Sequence, residues 1–284
     1  MLKGIDVSHH QGDVDWKKVK ATGVQFAIIR AGYGKYAYQE DPCFTDNIEG
    51  AYNAGIPVGV YWYSYAGDVE SAKQEAEVCL QVIAPYRGKI TLPVFFDQEY
   101  EPAIKAASYQ VRTECCKAFI AAVEAAGYRA GMYASKDWLD NRIDAGALPD
   151  SCTVWVAQYA GKCTYKGRYT IWQYTSSGKV DGISGRVDLN QADDDLITST
   201  VDGWNQISGK WYWYEGGKPV TNAWRKITGE SGVPYWYYLG KGGVMQTGWV
   251  KINNEVFYLN PSAAYGVPEG ACIITDSRGN VVRE

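Results

Sequence analysis

Leu92-Pro93-Val94-Phe95-Phe96-Asp97-Gln98-Glu99-Tyr100 opens as an apolar run and ends on two carboxylates. The run reads as a buried strand. Side chains on a strand alternate between faces, so Asp97 and Glu99 share one, about 7 Å apart at Cα. Two acids on one face at the end of a buried strand repel each other and are partly desolvated. Both effects raise one pKa and split the pair. A split pair, one acid protonated and one ionised, suits hydrolysis of a glycosidic bond. A lone D-x-E is also an ordinary acidic junction between strand and loop, so the flanking sequence has to decide.

Upstream, residues 2–8 read as a strand ending on Asp6 and Ser8, and residues 13–22 as a short helix with Trp16 and Val19 inward. Residues 24–31 and 56–64 read as buried strands, each followed by a helix: 41–54 closed by Gly55, and 68–84 with Asp68 as N-cap. Downstream of the focal strand, residues 108–126 form an amphipathic helix ended by Gly127, then a strand at 129–135 and a short helix from Lys136. This alternation is that of a parallel sheet wrapped by helices. Then the rhythm changes. Residues 154–159, 169–175 and 187–190 read as strands whose short, Gly-rich links predict hairpin-like turns. The fold class is α/β: a closed, irregular β/α barrel of about five β/α units plus three further strands.

The active site of a parallel barrel lies at the C-terminal ends of its strands. Asp6 ends strand one, Asp97 and Glu99 end strand four, and Asp188 lies in strand eight. Closure makes strands one and eight neighbours, so Asp6 and Asp188 are predicted to sit together, facing the Asp97/Glu99 pair. Tyr61, Tyr63, Tyr133, Gln158 and Trp172 fall at or near strand ends, where an aromatic-lined sugar cleft needs them. Core packing competes with that role for Tyr61, Tyr133 and Trp172.

Composition narrows the partners. A net charge of −4 argues against nucleic acid. No apolar run is long enough to span a bilayer. The opening Met1-Leu2-Lys3-Gly4-Ile5-Asp6 enters a strand without the apolar core of a signal peptide, so synthesis as a soluble cytoplasmic chain is expected. The seven cysteines are odd in number and lack C-x-x-C, which predicts free buried thiols. His9 and His10, read as neighbours on a strand, face opposite ways and make a poor metal site; no metal or cofactor is expected.

Near residues 196–203 the texture changes, which predicts domains at 1–199 and 200–284. Residues 204–284 hold six of the eleven tryptophans, more than a small core needs. Gly203-Trp204-Asn205-Gln206-Ile207 leads to Trp211-Tyr212-Trp213-Tyr214, Ala223-Trp224-Arg225-Lys226-Ile227 to Tyr235-Trp236-Tyr237-Tyr238, and Gly248-Trp249-Val250-Lys251-Ile252 to Val256-Phe257-Tyr258. Each unit reads as a hairpin that has to stack on the next, giving a small all-β hairpin-repeat domain. Trp204, Trp211 and Tyr238 are predicted to form one aromatic box, and Trp224, Trp236 and Tyr258 a second. The third unit, with Val256 where a tryptophan is expected, reads as a cap.

Gly4-Ile5-Asp6-Val7-Ser8, Phe26-Ala27-Ile28-Ile29-Arg30-Ala31-Gly32-Tyr33-Gly34, the D-x-E strand, Trp155-Val156-Ala157-Gln158-Tyr159, Trp172-Gln173-Tyr174 and Val187-Asp188-Leu189-Asn190 run in order through residues 3–191. Together they resemble the family 25 glycoside hydrolases, the Chalaropsis-type lysozymes. The resemblance implies a muramidase that cuts the β-1,4 bond from N-acetylmuramic acid to N-acetylglucosamine in peptidoglycan. By position, Glu99 matches the family's general acid and Asp97 its second carboxylate, acting as nucleophile or orienting the substrate's 2-acetamido group. Asp6 and Asp188 match acids lining the site. The repeats resemble the choline-binding or glucan-binding repeats of wall hydrolases from Gram-positive bacteria and their phages, which implies choline on a teichoic acid or a wall polysaccharide as ligand. The expectation is a phage endolysin, made without a signal peptide and acting at the wall after release. The alternatives are a bacterial autolysin, a non-catalytic wall-binding or adhesion protein, and a hydrolase of another glycan.

Overall fold

The computed structural model describes residues 1–198, 203–207, 210–215, 218–229, 232–253, 255–263, 266–275 and 281–282. The chain divides into two compact units, Met1–Thr198 and Ser199–Glu284. The expected junction at 199/200 lies outside the described residues.

In the first unit eight strands close in sequence order: β1 (Leu2–Val7), β2 (Phe26–Tyr33), β3 (Val58–Tyr63), β4 (Ile90–Asp97), β5 (Ala130–Ser135), β6 (Thr153–Ala157), β7 (Ile171–Gly178) and β8 (Val187–Ala192). β1 to β7 run parallel, while β8 is antiparallel to both β7 and β1. The barrel is therefore mixed. The expectation of hairpin-like turns among the last three strands holds for β7 and β8 and fails for β6 and β7. A parallel step needs a connection of roughly a dozen residues, and residues 158–170 provide one without a helix. Gln158 staples that loop: its side chain accepts from the Thr164 amide at 2.8 Å and donates to the Thr164 hydroxyl at 2.9 Å.

The helices are α1 (Trp16–Ala21), α2 (Phe44–Asn53), α3 (Val69–Ile83), α4 (Pro102–Ala106), α5 (Tyr109–Ala125) and α6 (Lys136–Asn141). Asp15, Asp68, Ser108 and Ser135 cap α1, α3, α5 and α6, each side chain accepting from an amide three residues on. The first helix starts at Trp16, later than expected, because Asp15 is its cap. Gly55 and Gly127, at φ +70° and +77°, end α2 and α5 in a conformation that favours glycine.

Strand alternation sorts the barrel into two cores. Phe26, Ile28, Phe95, Tyr133, Trp155 and Ile171 fill the interior. Ile5, Ile29, Val60, Trp62, Val94 and Phe96 point outward and pack with the helices. Trp155 is the hub of the interior, its ring edge-on to Phe95 at 5.3 Å and to Tyr133 at 4.4 Å. Truncating so central a ring typically costs about 3–5 kcal/mol. All seven cysteines are free thiols; Cys79, Cys115, Cys116 and Cys152 are buried and the other three half-buried.

In the second unit three antiparallel hairpins follow one another: Gly203–Ile207 with Lys210–Glu215, Ala223–Thr228 with Pro234–Leu239, and Gly248–Ile252 with Glu255–Leu259. A hairpin alone is marginal. Here the segments after the second and third hairpins each reach back to a strand of the hairpin before, Met245 N–H to the Trp211 carbonyl and Cys272 N–H to the Trp236 carbonyl, both at 2.7 Å. Val220, Ile227, Tyr235, Tyr237, Leu239 and Met245 form much of the shared core.

Candidate active site

Because β8 runs backwards, its first residues lie at the end of the barrel where β1 finishes. Asp6 and Asp188 are direct register partners across the β1–β8 pair. Two buried amides hold them. Asn190 Nδ2 donates to Asp6 Oδ2 at 2.8 Å. Gln173 Nε2 donates to the same oxygen at 3.0 Å and lies 3.4 Å from Asp188 Oδ2. The other end of Gln173, Oε1, accepts from the Tyr133 hydroxyl at 2.9 Å and the Tyr159 hydroxyl at 3.2 Å. Asn190 Oδ1 accepts from the Trp155 indole at 2.9 Å. Gln173 is thus a crossbar linking an acid pair to two phenols.

Asp97 is the last residue of β4 and only 3% exposed. Its carbonyl accepts from the Ser64 amide at 2.9 Å. Its Oδ1 is buried with no hydrogen-bond partner among the described residues. Gln98 turns the other way and meets α5, where Cys116 Sγ lies 3.6 Å from its Oε1. Side-chain alternation therefore continues past the strand end and returns Glu99, half-buried, toward the mouth. Glu99 itself stands on a loop: the Glu101 amide donates to its carbonyl at 3.0 Å.

The electrostatics follow from crowding acids in a partly dry mouth. Burial pushes the Asp97 carboxyl well above its ordinary range; the Glu99 and Asp6 charges add to this and Arg30 opposes it. Glu99 is raised by burial, then by Asp188 and Glu101. Asp6 is raised well above its range by burial and by Asp188. Arg30 is not a free counter-charge, since its Nε donates to buried Asp41 at 2.7 Å. Burial and crowding thus raise the Glu99 carboxyl, the direction a proton donor needs.

The expected aromatic lining divides. Tyr61 is half-buried at the mouth, edge-on to Trp155 at 6.2 Å. Tyr63 is half-buried with its hydroxyl donated to Glu101 Oε1 at 2.8 Å. Tyr133 is buried and bound to Gln173, part of the floor of the mouth. Trp172 is not brought to the site. It takes the outward face of β7 and packs with the helix-side core, while the inward position belongs to Gln173. Gln158 is committed to the Thr164 staple, and its carbonyl accepts from the Trp172 indole at 2.8 Å. His9 and His10 lie on a 3₁₀ turn, not on a strand, with rings 4.1 Å apart. Gln173 and Asn190 were missed as site residues; the inward parity of Gln173 beside Ile171 was the available signal.

In the second unit, Trp224, Trp236 and Tyr258 line one cavity of about 750 Å³, joined by Trp249, Val256, Phe257, Cys272 and Ile273. Trp249 is 75% exposed and was absent from the expected boxes. The other box does not form as expected. Trp204 meets Trp211 at 6.3 Å, but its further ring partners are Tyr237 at 4.9 Å and Trp213 at 5.3 Å, while Tyr238 sits beside Trp224 at 5.2 Å. The cause is strand parity: Tyr235 and Tyr237 face the core, so Trp236 and Tyr238 face the other way.

A barrel mouth of gathered carboxylates, two of them ending one strand and its loop, has the acid set that a glycoside hydrolase uses. Residues 5–183 match the family model of glycosyl hydrolases family 25, and residues 247–262 match that of a cell wall binding repeat. The second match falls on the hairpin that the sequence set apart as a cap. Lysozyme M1 of Streptomyces globisporus is 31% identical over 201 residues, 67% of each chain. The lysozyme of Streptococcus phage Cp-1 is 27% identical over 239 residues, covering 79% of this chain and 65% of that one. The solved CTP1L endolysin superposes with a TM-score of 0.61 at 25% identity, covering 70% of this chain and 68% of that one. The chain thus spans about two thirds of the length of these relatives. It belongs to the family 25 glycosyl hydrolases. It is a lysozyme-type muramidase, a peptidoglycan hydrolase of the endolysin type.

Proposed function

We propose that the first unit cleaves the β-1,4 bond from N-acetylmuramic acid to N-acetylglucosamine, with Glu99 as proton donor and Asp97 as the second catalytic carboxylate. The carrying observation is the placement of Glu99. It is the half-buried acid above a buried Asp97, with the Asp6–Asp188 pair sharing the mouth. Burial and neighbouring negative charge keep its proton available for the leaving oxygen. Asp97 Oδ1 has an unused acceptor in a buried position. A 2-acetamido N–H donated to it would hold the acetamido carbonyl oxygen against the anomeric carbon. Bond cleavage then forms an oxazolinium-type intermediate as the Glu99 proton passes to the leaving oxygen. Water, deprotonated by the Glu99 carboxylate, opens that intermediate with net retention. Asp6 is held by Asn190 and Gln173, so its part is to keep the acid pair in place at the mouth.

The second unit, beginning near residue 200, holds the enzyme on the wall. Its aromatic cavity presents ring faces suited to a quaternary ammonium on a teichoic acid or to the flat side of a wall saccharide. The setting that fits the phage relative is an endolysin released to the wall from the cytoplasm. Among the described residues no helix is long and apolar enough to cross a membrane.

The test is Glu99→Gln. A folded variant should lose turnover on purified walls by on the order of 10²–10⁴. Near-wild-type turnover would overturn the assignment of Glu99.

A further inference from the structure

β4 ends at Asp97 and the last bond to the sheet is Gln98 N–H to the Tyr133 carbonyl at 3.2 Å, so Glu99 itself stands past the sheet. A donor on a loop needs another anchor, because misplacement by about 1 Å can cost 10²-fold in rate. The anchor visible from β3 is Tyr63. It ends β3 as the register partner of Asp97. Its ring is edge-on to Tyr65 at 5.5 Å, and its carbonyl accepts from the Gly34 amide at 3.0 Å. Its hydroxyl donates to Glu101 Oε1 at 2.8 Å. Glu101 in turn holds the Glu99 carbonyl through its amide at 3.0 Å, and its own carbonyl accepts from Lys105 N–H at 2.8 Å where α4 begins. The hydroxyl that the sequence offered to a sugar is already engaged.

We propose that Tyr63 and Glu101 form a positioning latch that fixes the Glu99 loop and holds a second negative charge beside the Glu99 carboxyl. The latch rests on the reading of Glu99 as proton donor. The groups acting on Glu99 or acted on by it are Asp97 at the strand end, Asp188 on β8, Glu101 on the loop, Tyr63 on β3, Tyr133 on β5 and Tyr159 after β6. Of these, Glu101 is the carboxylate whose place a single phenol sets. Burial, then the bond to Glu101, pushes the Tyr63 phenol upward, so it remains a donor throughout the working range.

The experiment uses the full chain and soluble peptidoglycan fragments, with kcat and KM followed against pH. Tyr63→Phe keeps the ring and frees Glu101. Glu101→Gln keeps an oxygen for the Tyr63 hydroxyl and removes the charge. Both should move the alkaline limb of kcat to lower pH, by about one unit at most. Tyr63→Phe should also lower kcat on the order of 10-fold, by releasing the loop, with KM changed less than about twofold. In the double variant the two limb shifts should not add. A KM rise confined to Tyr63→Phe with an unmoved limb would overturn the latch in favour of direct sugar binding. A lower melting temperature with unmoved limbs in both variants would overturn it in favour of plain stability. Limb shifts that add in the double variant would also overturn it. Glu99→Gln run alongside separates the two claims. If it remains active, the donor assignment fails; if it is dead while the limbs stay put, only the latch fails.

Discussion

Glu75 offers the sharpest test of how burial sets charge in this barrel. It lies on α3 at 1% exposure. Oε1 accepts from the Tyr65 amide at 2.8 Å, while Oε2 is buried with no hydrogen-bond partner among the described residues. Burial pushes its carboxyl up from an ordinary 4.5 to about 7, with Asp68 adding to the shift; the Ser64 hydroxyl, the Tyr65 amide and the Lys35 charge oppose it. The folded pKa is raised, so the folded chain binds this proton more tightly than the unfolded one. The associated stability is complete below the unfolded pKa and is lost as pH rises through about 7. At 1.36 kcal/mol per unit this amounts to about 3 kcal/mol. Glu75→Gln keeps the acceptor for Tyr65 and cannot ionise. Calorimetric unfolding of the full chain from pH 4 to 8 should show the variant gaining about 3 kcal/mol on the wild type in the barrel transition, at roughly 2–4 °C per kcal/mol. Parallel stability curves over that range would refute the reasoning.

Three further outcomes follow from the geometry. Gln173→Leu removes the crossbar between Asp6 and the Tyr133 and Tyr159 hydroxyls; kcat should fall on the order of 10²-fold on soluble fragments, and unchanged kcat would remove Gln173 from the site. Trp249→Ala deletes an exposed ring of the repeat cavity. It should weaken wall binding in a pelleting assay by the roughly 0.5–2 kcal/mol one aromatic face contributes to a cation, with turnover of soluble fragments unaltered; undiminished binding would show that the ring is not a contact. Residues 1–199 produced alone should cleave soluble fragments yet bind walls more weakly than the full chain, and an insoluble or inert product would count against a boundary near residue 200.

What was legible in the sequence depended on strand order and parity. Closure made β1 and β8 neighbours, but Asp6 and Asp188 meet only because β8 runs antiparallel, which brings its first residues beside the end of β1. Glu99 could be placed with Asp97 because side-chain alternation persists for two residues beyond the strand. The parallel β6–β7 step was hidden, since residues 158–170 cross without the helix that usually signals it. Trp172 drew notice as an aromatic, yet the inward place beside it belongs to Gln173, an uncharged residue with no signal except its phase. The same phase error put Tyr238 in the wrong box: Tyr237 and Leu239, core residues on one face, already imply that Tyr238 faces away. Val256 in a tryptophan position makes the third hairpin look like a cap, yet Trp249 and Val256 both line the cavity.

The most direct measurement is mass spectrometry of borohydride-reduced fragments from peptidoglycan digested by the wild-type chain. Cleavage of the bond proposed here leaves N-acetylmuramic acid at the new reducing end, recovered as its reduced alditol. Fragments ending in reduced N-acetylglucosamine, or products cut only in the peptide stem, would contradict the account.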